Sequence, residues 1–469
     1  MLAALTLGWF VCFGAVAQAA TQTLPPVVAD ALARARLPPT ALSVIATSVD
    51  AREPARLFHR ADIAVNPASV MKLVTTYAGL ELLGPAYTWR TSVYLGGPLK
   101  AGTLAGDLHI QGGGDPKLVV ERLWLLLRRV QGLGIREIAG DIVLDRSAFA
   151  AQPADAAAFD NEPLRPYNAA PDALLINFKA LQLDFVPDTA AGVARIQHEP
   201  PLDGVEVPGA MPLSTGNCGD WRAALQLDFQ QPNRLQLPGR FVASCGNKRW
   251  SIAPPDADRF GAQAIAGMWR AIGGTLTGGV RDGRVPAGLT PAIEFESPPL
   301  ADVIRDINKF SNNLMAQQLY LSLSMQPGTA ATAGASRDAV ERWWRARLPG
   351  AAVPLLDNGS GLSREARIRP DVLARMLQAA FASPLMPEFI ASLPIPGVDG
   401  TLRRSRQGGA AHLKSGSLRD VQAIAGYVEG LSGRRHVLVA ILNDPNANAG
   451  RAVLDALVQW VREDTTAAR

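Results

Sequence analysis

Between about residues 90 and 290 the chain changes character, and this break constrains its fold more than any other feature. Before it, ALSVIATSVD and RLFHRAD read as two strands of a hairpin, followed by a helix from Pro67 to about Leu83 that Gly84 closes. Val70, Leu73, Val74, Tyr77 and Leu80 recur at spacings of three and four, so one buried stripe is expected on that helix. Within the break, Gly, Pro and Asp are dense. Short alternating runs such as TSVYLGG, GDLHIQG, GDIVLDR and LQLDFVP predict strands, interrupted by helices near 118–133 and 258–273. After it, four helical patterns run from about 299 to 382. HLKSGSL, VQAIAGYVEG and RHVLVAILND then predict an antiparallel meander, and GRAVLDALVQWVRED a closing helix. The two ends therefore read as one α/β domain, 21–91 with 291–469, split by a β-rich insertion, 92–290, of two subdomains.

Composition supports a folded chain of more than one domain. The 469 residues are 48% hydrophobic and 19% charged, which argues against extended disorder. A net charge of +4 with no basic block excludes nucleic acid as the expected partner. The five histidines are scattered without metal-ligand spacing, so no metal and no cofactor are expected. GGGDP at 112–116 lacks the Lys-Ser/Thr ending of a phosphate loop and reads as a tight turn.

The first twenty residues, MLAALTLGWFVCFGAVAQAA, carry no charge and end in small residues. Ala17-Gln18-Ala19 fits a cleavage site, so 1–20 reads as a secretory signal and the mature chain as periplasmic. A positive n-region is missing. That implies either a start codon lying upstream or retention of the segment as an anchor, which would give peripheral membrane association. No later stretch is long and apolar enough to span a bilayer. Of the remaining cysteines, Cys218 and Cys245 lie in turn-rich sequence. In an oxidising compartment they suggest one disulfide, with two free buried thiols as the alternative.

The chemistry starts at NPASVMKLVTTY. Ser69 and Lys72, three apart at a helix start, share a face, so Oγ and Nζ can meet. The positive potential of a helix start disfavours an ammonium there. A buried Lys72 would be neutral enough to accept a proton, and the Ser69 N–H could hold an oxyanion. The bland explanation is that Ser-x-x-Lys is common and serine favours helix starts. Ser311-Asn312-Asn313 falls between two helical patterns, where such residues also form plain turns. Lys414-Ser415-Gly416 lies in a strand, where a glycine weakens the ladder unless another backbone approaches closely.

The order Ser-x-x-Lys, Ser-x-Asn, Lys-Ser/Thr-Gly resembles the penicillin-recognising serine acyl enzymes. The long stretch between Lys72 and Ser311, together with GDLHIQGGGDP, GIREIAGDIVLD, DNGSGLSR, PGVDGTLRR and LKSGSLRDVQAIAGYV, narrows the resemblance. It is to the class C low-molecular-mass penicillin-binding proteins, the D-alanyl-D-alanine carboxypeptidase/endopeptidases of the cell wall. That resemblance implies a serine β-lactamase/transpeptidase-like α-β-α core with β-rich inserted domains. It implies Ser69 as acylated nucleophile, Lys72 as its base and Ser311 as proton relay. Asn313 would hold Lys72 and the substrate, and Lys414, with Ser415 and Gly416, the terminal carboxylate. The N–H groups of Ser69 and Ser417 would form the oxyanion hole, and the strand around Lys414 would pair with the substrate. Glu162 and Tyr167 would meet the side-chain end of a diaminopimelyl residue. The CGDW…SCG pair also looks like the family's and supports the disulfide. Substrates would be peptidoglycan stem peptides, and β-lactams would inhibit. Two departures are Ser415 for the usual threonine and Asn312 for a commoner Asp, whose side chain is expected to point away from substrate. The rivals are a fast-deacylating β-lactamase or esterase, and a non-catalytic peptidoglycan-binding protein on the same scaffold.

Overall fold

The computed structural model of the protein describes residues 22–50, 53–151, 155–231, 233–405 and 408–465. The expected signal segment lies outside the described residues. At the centre is a five-stranded sheet in the order Ala411–Leu418, Val421–Glu429, Arg435–Asn443, Leu42–Ser48, Leu57–His59, antiparallel throughout. The N-terminal hairpin thus completes the C-terminal meander through the pairing of Leu42–Ser48 with Arg435–Asn443.

All seven residues of Leu42–Ser48 are buried, because helices cover both faces of the sheet. Successive side chains of a strand point to opposite faces. Leu42, Val44 and Ala46 accordingly pack with Leu438, Ala440 and Leu442 under helices Pro26–Arg34 and Arg451–Arg462. Ile45, Val437, Val439 and Ile441 face the larger core built by helices Lys72–Leu83, Leu300–Phe310, Asn313–Ser322, Ala333–Arg347 and Pro370–Phe381.

One expectation is corrected here. Lys72–Leu83 does not bury a single stripe. Every residue from Lys72 to Leu80 is buried, so this helix runs through the middle of the helical layer. Its hydroxyls are accommodated by main-chain acceptors: Thr75 Oγ1 donates to the Gly359 carbonyl at 2.6 Å and Thr76 Oγ1 to that of Lys72 at 2.8 Å. Gly84 closes it with φ of 86°, a conformation glycine adopts without strain.

Between these halves lie two five-stranded sheets and smaller ribbons, with helices Val120–Gly132 and Ala257–Ala271. Their buried side chains form one cluster from Val93 to Phe295. Cys218 and Cys245 are joined, with Cα atoms 4.8 Å apart. GGGDP is a tight turn in which Gly114 takes φ of 84° and the Asp115 carboxylate accepts the Lys117 N–H.

One buried amide ties this segment to the helical layer, beside the main-chain bonds of Ala148 and Ala150 to Ala331. Gln318, on helix Asn313–Ser322, is fully buried. Its Nε2 donates to the carbonyls of Gly114 and Asp172, and its Oε1 accepts the Asp172 N–H at 2.9 Å.

Candidate active site

Ser69 sits in a single 3-10 turn, Ala68–Met71, that leads into the α-helix beginning at Lys72. The chain enters this turn under constraint. Ala68 has φ of 48°, a conformation that costs a residue with a Cβ about 1–2 kcal/mol. Asn66 offsets the cost: its Oδ1 accepts the Ala68 N–H and its Nδ2 donates to the Ser363 carbonyl, both at 2.9 Å. Asn443, at the end of a central strand, exchanges two 2.9 Å hydrogen bonds with the Asn66 backbone. Gly361 must be glycine, because a Cβ there would lie 1.9 Å from the Ala68 carbonyl oxygen.

Lys72 is completely buried, with Nζ 3.0 Å from Ser69 Oγ, 2.6 Å from Asn313 Oδ1 and 2.6 Å from the Ser360 carbonyl oxygen. The last two can only accept. A neutral amine has two N–H donors, which these acceptors consume, and its lone pair is left for the Ser69 hydroxyl. Burial holds the Lys72 ammonium well below its ordinary range, and the neighbouring Lys414 lowers it further. Burial, which the sequence reading had coupled to the helix start, is the larger of these two causes.

Ser311 follows helix Leu300–Phe310 in the left-handed conformation, φ 56°, which turns the chain into the next helix. Asn312 caps that helix, its Oδ1 accepting the Met315 N–H at 3.0 Å, so the residue that replaces the commoner Asp does structural duty. Lys414 is also fully buried; its Nζ donates to Ser311 Oγ at 2.8 Å and to the Ser415 carbonyl at 2.7 Å. Burial pushes its ammonium down to about 7. Among the described residues, neither lysine forms a salt bridge.

Strand Ala411–Leu418 forms one edge of the central sheet. Gly416 brings it against the turn that carries Ser69: a Cβ at 416 would lie 2.7 Å from the Pro67 carbonyl oxygen and 3.1 Å from the Ser69 nitrogen. Ser415 Oγ is 2.6 Å from Thr401 Oγ1, a second hydroxyl supplied by the PGVDGTLRR segment. Ser417 Oγ accepts from Gln422.

Two cavities meet at Ser69, Ser311 and Ser417. One, of about 760 Å³, runs toward Asp160, Tyr167 and Arg364. The other, of about 440 Å³, runs past Ser415 and Thr401 toward Arg451 and Leu454. Of the two residues expected to reach in from the insertion, Tyr167 lines the first cavity and Glu162 does not. Glu162 is exposed and pairs with Arg165 at 3.3 Å. The carboxylate that faces the cavity is Asp160, which accepts from Tyr167 Oη at 2.8 Å and Asn168 Nδ2 at 2.7 Å. No group of three or more potential metal ligands occurs among the described residues.

The profile of the D-Ala-D-Ala carboxypeptidase 3 (S13) family matches residues 25–464. The chain belongs to that family. It is a serine peptidase of the D-alanyl-D-alanine carboxypeptidase class, a hydrolase that works through an acyl-serine. It is 25% identical over 393 residues to D-alanyl-D-alanine carboxypeptidase DacB of Haemophilus influenzae, covering 80% of each chain. It is 28% identical over 430 residues to the D-alanyl-D-alanine carboxypeptidase of an Actinomadura species, covering 85% of this chain and 77% of that one. The crystal structure of penicillin binding protein 4 from Haemophilus influenzae superposes with a TM-score of 0.73 at 23% identity, over 92% of this chain and 99% of that one. The α/β transpeptidase-like fold expected from the motifs is therefore the family fold.

Proposed function

We propose that Ser69 is the residue acylated, with Lys72 as its base. The observation that carries this reading is the buried Lys72 amine, 3.0 Å from Ser69 Oγ with its two N–H groups directed at acceptors. Lys72 takes the hydroxyl proton as Ser69 Oγ bonds to the carbonyl carbon of the penultimate D-residue. The N–H groups of Ser69 and Ser417 hold the oxyanion. Lys414, with the hydroxyls of Ser415 and Thr401, holds the terminal carboxylate, and Asn313 orients Lys72 and the peptide. The C–N bond breaks as the proton taken by Lys72 passes through the Ser311 hydroxyl to the leaving amine, and neutral Lys72 then takes a proton from the water that hydrolyses the ester.

Substrate orientation follows from the edge strand and the two cavities. A peptide added to Ala411–Leu418 as a further strand keeps its acyl portion in the larger cavity and its leaving group in the smaller. Asp160 with Tyr167 suits the ammonium at the side-chain end of a diaminopimelyl residue, and Arg364, which lines the same cavity and pairs through Nη1 with Asp420 at 3.0 Å, has further N–H donors for its carboxylate. The smaller cavity has room beyond a D-alanine, which favours a cross-linked leaving group and hence endopeptidase action beside carboxypeptidase action. We assign catalysis to the segments 21–91 and 291–469, with 92–290 as the insertion, although strand Ile293–Glu296 pairs with Arg90–Leu95 in the insertion's own sheet. We place the mature enzyme in the periplasm after loss of residues 1–20, membrane association requiring that this segment be kept. No helix among the described residues is long and apolar enough to cross a membrane.

A fluorescent penicillin tests this. Stable label on the wild type, lost in Ser69→Ala and in Lys72→Ala, is the expected result. Rapid release of label would identify a β-lactamase, and no label on folded protein a non-catalytic binder.

A further inference from the structure

The acyl-side cavity does not end at Tyr167. Phe178, Phe310 and Asn312 are shared as a common wall with a second depression, of about 1160 Å³, between the insertion and helix Leu300–Phe310. Around its opening three large apolar side chains remain in water: Phe310 is 69% exposed, Trp124 47% and Leu125 37%. Such a concentration marks a contact surface, since single exposed apolar residues are ordinarily scattered.

The polar part of the lining selects the ligand. Glu121 and Glu199 face the depression. Arg249, its one arginine, is held by Asp184 at 2.6 and 3.1 Å, and Gln182 Nε2 donates to the same carboxylate at 3.2 Å. Lys117 is paired with Asp306 at 2.5 Å. The cations are thus neutralised while carboxylates remain, so an anionic polymer is repelled. A purely apolar partner would bury these carboxylates without hydrogen bonds, which is costly. A neutral ligand with many O–H and N–H donors and one flat apolar face satisfies both halves of the lining.

We infer that this depression binds the N-acetylated amino-sugar chain that carries the stem peptide, one sugar ring stacking on Trp124 and its hydroxyl and acetamido groups donating to Glu121 and Glu199. The inference rests on the reading of Ser69 as the peptide-cleaving residue. The stem peptide enters the Ser69 cavity from its acyl side, and the shared wall puts the sugar to which that peptide is attached over the depression. The insertion then has a binding role: it keeps the enzyme on the polymer while the core cleaves the peptide.

The test compares two soluble substrates with the same pentapeptide, one free and one carried on its disaccharide. The wild type is expected to show kcat/KM about tenfold higher for the disaccharide form, through KM. Trp124→Ala should remove that preference, and Trp124→Phe should restore most of it. No preference in the wild type, or an equal preference in Trp124→Ala, would overturn the inference. Co-sedimentation with peptide-free glycan strands, using protein already labelled at Ser69 with fluorescent penicillin, supplies a second reading. Retention of the wild type and loss in Trp124→Ala supports it. Retention of both, or binding only to peptide-bearing strands, overturns it. If penicillin fails to label Ser69, the reading of the active site falls, and glycan retention alone decides the sugar site.

Discussion

Lys72 and Lys414 sit close enough for the charge of one to lower the ammonium of the other, and this coupling predicts how the site titrates. Acylation requires neutral Lys72, so its rate falls as pH drops through the Lys72 transition. Lys414→Met removes the second of the two causes that hold Lys72 down. The acid limb of penicillin acylation should therefore move to higher pH in this variant, read by stopped-flow labelling at a series of pH values. An unmoved limb would mean that the two ammonium groups do not interact. Stability carries a matching sign. The Lys414 ammonium titrates near 7 in the folded chain against an ordinary 10.5. Between those values the unfolded chain binds the additional proton, so folded stability falls as pH drops from 10.5 and levels off below 7. The slope is at most roughly 1.4 kcal/mol per pH unit. Lys414→Met abolishes that component, and the stability of wild type relative to variant should rise from pH 7 to pH 10 in urea titrations. At this scale, Ser69, Lys72, Ser311, Asn313 and Lys414 could be picked out as residue types in order. The Ser360 carbonyl could not, because a main-chain acceptor has no side-chain signature. Nor could Asp160 be told from Glu162: both are acids in FDNEPLRPYN, and only the turn that brings Tyr167 and Asn168 to Asp160 separates them.

At the scale of elements, the strand and helix that frame the site meet through one missing side chain. Gly416 lets strand Ala411–Leu418 lie against the turn bearing Ser69, so the two segments that carry the proposed oxyanion donors are in contact. In Gly416→Ala the new Cβ meets main-chain atoms of Pro67, Ser69 and Val70, which cannot rotate away. The expected outcome is a loss of about 1–3 kcal/mol in stability and slower penicillin acylation, measured by thermal unfolding and labelling kinetics. Labelling at the wild-type rate would show that this close approach is not needed. Elements that bury one face, such as strand Leu181–Asp188 and helices Val120–Gly132 and Arg451–Arg462, follow the alternation and periodicity of the chain closely. Lys72–Leu83 departs from its pattern for a definite reason. Thr75 and Thr76 look like solvent residues, yet the carbonyls of Gly359, on a distant loop, and of Lys72, one turn back, take their hydroxyl protons, and Gly79 makes space for Leu319, whose methyl carbons lie 3.1 Å from where a Cβ would be. Hydrophobic periodicity does not register hydroxyls satisfied in this way.

At the scale of the whole molecule, the split of one α/β domain by a β-rich segment is visible as a change in composition. How the two parts lock together is not, because it rests on single polar contacts such as that of Gln318, one of two adjacent glutamines in NLMAQQLY. Helix Asn313–Ser322 carries Asn313, which holds Lys72, at its first residue, and Gln318 little more than one turn later. The insertion is therefore referenced to the same helix as the base, and Asp160 and Tyr167 reach the cavity from a segment just before Asp172, the residue Gln318 grips. Gln318→Leu keeps the bulk and leaves the Asp172 N–H and the carbonyls of Gly114 and Asp172 without this partner. Each such buried group costs roughly 1–3 kcal/mol, so the thermal transition should fall by several degrees. The distinguishing readout is selectivity. If the amide aligns the two parts, preference for a diaminopimelyl pentapeptide over one with acetylated lysine at that position should drop several-fold, while penicillin, which does not extend to Asp160, still acylates Ser69 at close to the wild-type rate. A lowered transition with unchanged selectivity would mean that the rest of the interface holds Asp160 and Tyr167 in place.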